Sequence, residues 1–159
     1  MIKGLQNYIF RVYADTSVFG GVFDEEFDEA SNSFFEAVKR GRFKLFTSQL
    51  VNEEVQAAPV KVVKFFEECL TFSDIAEVTT ESLALKNAYM NEGIVSSNYS
   101  TDALHVALAT VSKCDLIVSW NFKHIVNFQK IPLYNAVNTL NGFSKIDIYS
   151  PLELIEYEN

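Results

Sequence analysis

Long apolar runs are missing from this 159-residue chain: none reaches the roughly eighteen residues that a membrane span requires. The opening "MIKGLQNYIF" carries neither the apolar core nor the small-residue cleavage site of a secretory signal, so the expected location is the cytoplasm. Cysteine is scarce. Cys69 and Cys114 have no CxxC spacing, which excludes a zinc ribbon or a disulfide framework and predicts two buried thiols. No Gly-rich phosphate fingerprint of the dinucleotide or P-loop kind occurs. Positive charge is also short: 13 Lys and Arg stand against 21 Asp and Glu, a formal net charge of −8. A protein that grips nucleic acid over many phosphates usually carries a basic surface. Here a polyanion has to be held locally or through bound cations, and the same balance favours a basic protein partner. Internal repeats, low-complexity tracts and Pro/Gly/Ser linkers are absent as well, which predicts one domain over residues 1–159.

Apolar residues are plentiful, 48 % of the total, and 14 Phe with 7 Tyr supply much of the burial area. That excludes disorder and suffices for one core. Residues 11–15 alternate as a strand. "EASNSFFEAVKRG" (29–41) reads as a helix stopped by Gly41, and "FKLFT" (43–47) as a second strand. Ser48 caps a helix running to about Ala58, ahead of Pro59, and 60–72 form another amphipathic helix. "IAEVT" (75–79) is a short strand, after which Thr80 and Glu81 open a helix that ends at Gly93. Ser100 or Thr101 caps the helix 102–113, and "DLIVSW" (115–120) is a buried strand. A helix near 133–141 stops at Gly142, "KIDIY" (145–149) follows, and Pro151 sits in the first turn of a last short helix. Strands alternating with helices predict an α/β fold with a small parallel sheet covered on both faces. Its core spans about 10–128, with a helix–strand–helix extension over about 129–159.

In open parallel sheets ligands bind beyond the carboxyl ends of the strands, and right-handed crossovers bring the following helix N-termini to that edge. Asp15 ends the first strand in "RVYADTSVFGG" (11–21), as a helix cap, a turn former or a ligand for something positive. Ser119 and Asn121 lie at the end of "LIVS". Asp102 opens a helix that is apolar nearly all round and hence buried. It either serves the helix dipole or belongs to a site. On the helix after Ser48, Glu53 points away from the stripe of Leu50, Val51, Val55 and Ala58, whereas Glu54 falls within it. A carboxylate aimed there needs an Arg, a Lys or a metal. These residues are either unrelated caps or a cluster, and clustered carboxylates repel unless a cation joins them. A hard, oxygen-liganded cation such as Mg2+ or Mn2+ suits them.

Together "YADTSVFGG" (13–21), "TSQLVNEEV" (47–55), "TDALHVALAT" (101–110) and "LIVSWNFKHI" (116–125) resemble the PIN domains, and among them the VapC-like ribonuclease toxins of type II toxin–antitoxin systems. The resemblance holds in order and spacing over roughly residues 10–128. It implies an acidic cluster at the strand ends, with Asp15, Glu54 and Asp102 as catalytic and metal-binding members. Thr16, Ser17 and Ser119 match small hydroxyl positions that hold a carboxylate, a water or substrate in place. Where many members carry a further Asp, this chain has Asn121, whose amide can ligate but brings no charge. A protein antitoxin and a homodimer are the partners implied, and the aromatic surplus suits either contact.

The activity implied is that of a Mg2+- or Mn2+-dependent endoribonuclease, in which a water on the cation attacks an RNA phosphodiester in line. Lys123 and His124 are the local candidates for phosphate contact. His105, one turn after Asp102, lies toward the same side, and the basic run Lys39, Arg40, Arg42 and Lys44 reads as a solvated helix end with RNA contact as the lesser reading. The alternative is a PIN-like domain that has lost catalysis and binds nucleic acid or protein as a regulatory module; Asn121 and the acidic surface favour it. Other phosphate chemistries fit poorly. A haloacid-dehalogenase-type phosphatase needs an Asp where Ser17 stands, and a receiver domain needs a phospho-accepting Asp at the end of "IAEVT".

Overall fold

A computed structural model describes residues 8–158; residues 1–7, read above for a signal, and residue 159 lie outside that range. The strands are β1 (Phe10–Ala14), β2 (Phe43–Ser48), β3 (Asp74–Ala76), β4 (Leu116–Val118) and β5 (Asp147–Tyr149). All pair in parallel, in the order β3-β2-β1-β4-β5. Val12, Tyr13 and Ala14 of β1 and Ile117 and Val118 of β4 are wholly buried. Burial of successive residues, which point to opposite faces, requires cover on both. The cover comes from α1 (Thr16–Gly21), α2 (Asp28–Lys39), α3 (Gln49–Val55), α4 (Val60–Leu70), α5 (Thr80–Asn91), α6 (Ser100–Val111), α7 (Ile131–Leu140) and α8 (Pro151–Glu158). The expected α/β class, one domain around a parallel sheet, is what the chain adopts.

The order of the strands fixes where a site can form. From β1 the chain winds outward to β2 and β3, then returns through α5 and α6 to place β4 on the other side of β1. The winding direction reverses between β1 and β4, and the connections leaving those two strands part to opposite faces. Such a switch point leaves a crevice at the carboxyl edge. Asp15 and Ser119 stand on its two sides.

Several helix boundaries follow the local chemistry. Ser48 caps α3 by accepting the Val51 N–H at 3.1 Å. Thr79 and Ser82 form a capping box at the start of α5. Gly41, Gly93 and Gly142 end α2, α5 and α7 at φ +79°, +68° and +82°, a left-handed conformation that strains any residue with a Cβ. Other boundaries differ from expectation. The Gly20–Gly21 pair lies within a short helix, α1, where no helix was foreseen. Helix α6 begins at Ser100, so Ser100 and Thr101 lie inside it and the cap position is Tyr99. A 3-10 turn over Ser97–Tyr99 runs straight into that helix and leaves no room for a separate side-chain cap. Helix α3 ends at Val55, because residues 57 and 58 form tight turns ahead of Pro59.

Residues beyond 128 complete the same sheet through β5, while Tyr134 of α7 meets Tyr89 of α5 edge-on at 5.0 Å. Much of the aromatic surplus is spent in the core, where Phe19, Phe35, Phe65 and Phe66 pack ring to ring at 4.8–6.4 Å. Burial pushes the Cys69 and Cys114 thiols up to about 12, as expected of inert core cysteines. Among the described residues no helix is long and apolar enough to cross a membrane.

Candidate functional site

Asp15 stands where β1 gives way to α1, with an extended backbone (φ −78°, ψ 178°) and no side-chain cap bond to the helix. Its carboxylate turns to side chains instead. Ser17 Oγ donates to Oδ1 at 2.6 Å and Ser119 Oγ donates to Oδ2 at 2.7 Å. Each hydroxyl is itself fixed, since Ser17 Oγ accepts the Trp120 N–H and Ser119 Oγ the Asn121 N–H, both at 2.9 Å. The loop after β4 therefore clamps the carboxylate in one orientation. At 4 % exposure Asp15 is almost out of water, and among the described residues no basic side chain forms an ion pair with it. Burial raises its pKa above the ordinary 3.8; attraction to the nearby His105 and the two hydroxyls pull back, and Glu54 adds to the rise. The residue is held in place yet short of positive charge.

Trp120 anchors that clamp. Its ring stacks on Phe27 at 4.3 Å and its Nε1 donates to Ser31 Oγ at 2.8 Å. A Cβ on Gly21 would fall 2.5 Å from Ser31 Oγ and 2.8 Å from Trp120 Nε1, so glycine alone lets α1 pass this close. Gly20 meets nothing within 4 Å.

Glu54 lies on the buried side of α3 and Glu53 on the exposed side, as the helical spacing predicts. Its partners are neither Arg nor Lys. His105 Nε2 lies 2.6 Å from Oε1, and Thr16 Oγ1 donates to the same oxygen at 2.9 Å. His105, only 3 % exposed, reaches Tyr13 Oη through Nδ1 at 2.8 Å, and Tyr13 Oη lies 2.8 Å from Ser48 Oγ. A carboxylate only accepts, so Nε2 carries the hydrogen. Ser48, Tyr13, His105 and Glu54 thus form one continuous hydrogen-bonded chain that ends with Nε2–H donating to the carboxylate. Burial raises the Glu54 pKa, but the His105 hydrogen bond and charge, with Thr16, outweigh it and hold the carboxyl below its ordinary 4.5.

The remaining candidates are less tightly drawn in. Asp102 is half-buried in the first turn of α6, and among the described residues its side chain makes no hydrogen bond or ion pair. Asn121 Oδ1 accepts the His124 N–H at 3.0 Å, so the amide caps the turn after β4. His124 is buried, its ring stacked on Tyr99 at 3.9 Å and its Nδ1 3.3 Å from Lys130 Nζ. Burial and Lys130 hold its pKa below 6.5. Lys123 is exposed, with Nζ 5.5 Å from the Tyr99 ring centroid. The basic run 39–44 lies at the opposite, amino edge of the sheet, where Lys39 pairs with Glu36 at 3.6 Å and Lys44 with Asp74 at 3.7 Å. Tyr13, Ser48, Trp120, Tyr99 and Lys130 were not foreseen as site residues. For Tyr13 a signal existed: a tyrosine inside a fully buried strand must find a partner for its hydroxyl.

The carboxylate and hydroxyl oxygens are the right chemistry for a hard divalent cation. Among the described residues no group of three His, Cys, Asp or Glu side chains is placed to hold a metal ion. Mg2+ asks for less, since it usually takes one or two carboxylates and keeps its waters. The donor set fits such a loosely held ion and does not form a closed cage.

No family model matches the chain, and no curated protein matches its sequence. Its fold does have a counterpart in the crystal structure of VapBC2 from Rickettsia felis bound to a DNA fragment from their promoter. A chain of that structure superposes with a TM-score of 0.56 over 87 % of this chain and 97 % of its own length, at 13 % identity. The likeness is one of fold.

Proposed function

We propose that this chain is a PIN-type endoribonuclease dependent on Mg2+ or Mn2+, and the toxin of a toxin–antitoxin pair. The observation that carries the reading is the surroundings of Asp15: a buried, oriented carboxylate, without an ion-pair partner among the described residues, at the switch point of a parallel sheet. The fold shared with a chain of the VapBC2 complex supports the same reading. A divalent cation held by Asp15, with Glu54 and Asp102 as further oxygen donors, would lower the pKa of a bound water and offset charge on the phosphate. The chain's own residues do the rest. Ser17 and Ser119 keep the Asp15 carboxylate in one orientation, and His105 with Thr16 fix Oε1 of Glu54. Asp102 brings a carboxylate that has no hydrogen-bond or ion-pair partner among the described residues. A protein antitoxin and a second copy of the chain are the partners this reading brings, and the cytoplasm its compartment. The exposed Phe128, Leu133 and Leu140 offer apolar surface for such a contact.

A second reading, a binding module with weakened catalysis, is favoured by Asn121, which adds no charge and spends its carbonyl on the His124 N–H. Cleavage of a mixed RNA pool by the purified protein, with Mn2+ or Mg2+ against chelator, separates the two. The nuclease reading expects metal-dependent cleavage by the wild type. An inert wild type that Asn121→Asp revives would establish the second reading instead.

A further inference from the structure

We infer that Tyr99, Lys123 and Lys130 form a nucleotide subsite beside the carboxylates, binding one base and a neighbouring phosphate of single-stranded RNA; the inference rests on the nuclease reading above. Tyr99 is 38 % exposed, and the buried His124 imidazole lies against its ring at 3.9 Å with 30° between the planes. An aromatic ring backed in this way has little freedom left to lose when a base stacks on it, and such stacking tolerates any sequence.

Two lysines, Lys123 and Lys130, also gather here. In a chain of net charge −8, Lys123 Nζ sits 5.5 Å from the Tyr99 centroid and Lys130 Nζ 3.3 Å from His124 Nδ1. Among the described residues neither ammonium pairs with a carboxylate. The contact with Lys130 makes Nδ1 the acceptor, so Nε2 carries the His124 hydrogen, and among the described residues Nε2 is buried without a hydrogen-bond partner.

The cluster is tied to the clamp around Asp15. The His124 N–H bonds Asn121 Oδ1, the Asn121 N–H bonds Ser119 Oγ, and Ser119 Oγ donates to Asp15. Asp102 follows Tyr99 by three residues, and its charge acts on His124. A nucleotide on Tyr99 therefore lies next to the candidate reacting phosphate. An acidic peptide would use the two ammonium groups but has no call for an open, backed aromatic face.

The test is fluorescence anisotropy of a labelled, mixed-sequence single-stranded RNA of about twelve nucleotides with the full chain in chelator, titrated over salt. Tyr99→Ala is expected to weaken binding about tenfold and Tyr99→Phe to leave it near wild type. Lys123→Ala and Lys130→Ala should each reduce the slope of log affinity against log salt by about 0.7. If Tyr99→Ala fails to fold, Tyr99→Leu against Tyr99→Phe makes the same comparison. Binding equal within twofold for ring and no-ring variants, full displacement of RNA by a polyglutamate peptide, or no RNA binding by the wild type overturns the subsite. Cleavage of the same RNA separates this outcome from that of the parent reading. Asp15-dependent cleavage indifferent to Tyr99 removes the subsite alone, whereas Tyr99-dependent binding without cleavage under any metal supports the subsite and removes the nuclease.

Discussion

Asp15 and Asp115 flank the same pair of strands at opposite edges of the sheet, and their surroundings differ in kind. Asp115, just before β4, accepts the Arg11 backbone N–H at 2.8 Å and the Tyr8 hydroxyl at 3.1 Å. The Arg11 side chain is anchored nearby, donating to Ser112 O at 2.8 Å and lying over the Phe46 ring at 4.6 Å. The backbone donor of Arg11 and the Tyr8 hydroxyl make Asp115 a latch on the amino end of β1 beside β4. Asp15, at the carboxyl end, is buried and its carboxylate receives two side-chain hydroxyls, with no ion-pair partner among the described residues. The fold thus contains a ready way of satisfying a strand-end aspartate and does not use it at the switch point. A charge kept oriented but uncompensated is what chemistry requires and what stability alone would remove.

Removing the latch is the largest stability change expected. Asp115→Ala leaves the Arg11 N–H without its acceptor and should cost about 1–3 kcal/mol in urea unfolding, with RNA cleavage retained. Cleavage lost in proportion to stability would erase the distinction between the two aspartates. Gly21→Ala attacks the other side of the comparison without touching a carboxylate. Its Cβ displaces Trp120 and Ser31, at about 1–3 kcal/mol for an overpacked contact. Because the Trp120 N–H holds Ser17, cleavage should fall further than the Tm accounts for.

The pH dependence of stability sharpens the contrast further. The folded pKa of Asp15 lies above 3.8, so the native state binds that proton more tightly than the unfolded chain. Its contribution is fully present below 3.8 and lost as pH rises through the raised value. Glu54 behaves oppositely, since its contribution is present above 4.5 and lost as pH falls through its depressed value. Unfolding measured across the acid range should therefore show wild type losing ground to Asp15→Asn as pH rises past 3.8. A constant difference would mean that burial does not strain the charge. Gly20→Ala is the smallest change: its site is open, and replacing a helical glycine should stabilise by about 0.5–1 kcal/mol with cleavage untouched.

Much of the architecture was legible because it rests on local rules. Alternating strands and helices, the Ser48 cap and glycine stops at 41, 93 and 142 all read directly from residue type and spacing. The same holds for Asp15 at a strand end and for Glu54 on the inner face of its helix. Helix α1 escaped because two adjacent glycines signal a turn; the reason for Gly21 lies in Trp120, distant in sequence and present only once the sheet has formed. The partner of Glu54 escaped for a related reason. A helical wheel shows which way a side chain points and not what stands there, and His105 arrives from 51 positions away. His124 reads from sequence as a candidate for phosphate contact beside Lys123, yet the turn capped by Asn121 folds its ring against Tyr99.

The most direct measurement compares Asp15→Asn with Asp115→Asn on one RNA pool, with Mn2+ and with chelator, both proteins verified as folded. Asp115→Asn is expected to cleave at the wild-type rate. Asp15→Asn should lose cleavage by about a thousandfold or more, the scale of a group on which metal-assisted hydrolysis depends. Equal cleavage by the two variants would contradict the account, because the uncompensated charge at the switch point would then have no chemical task.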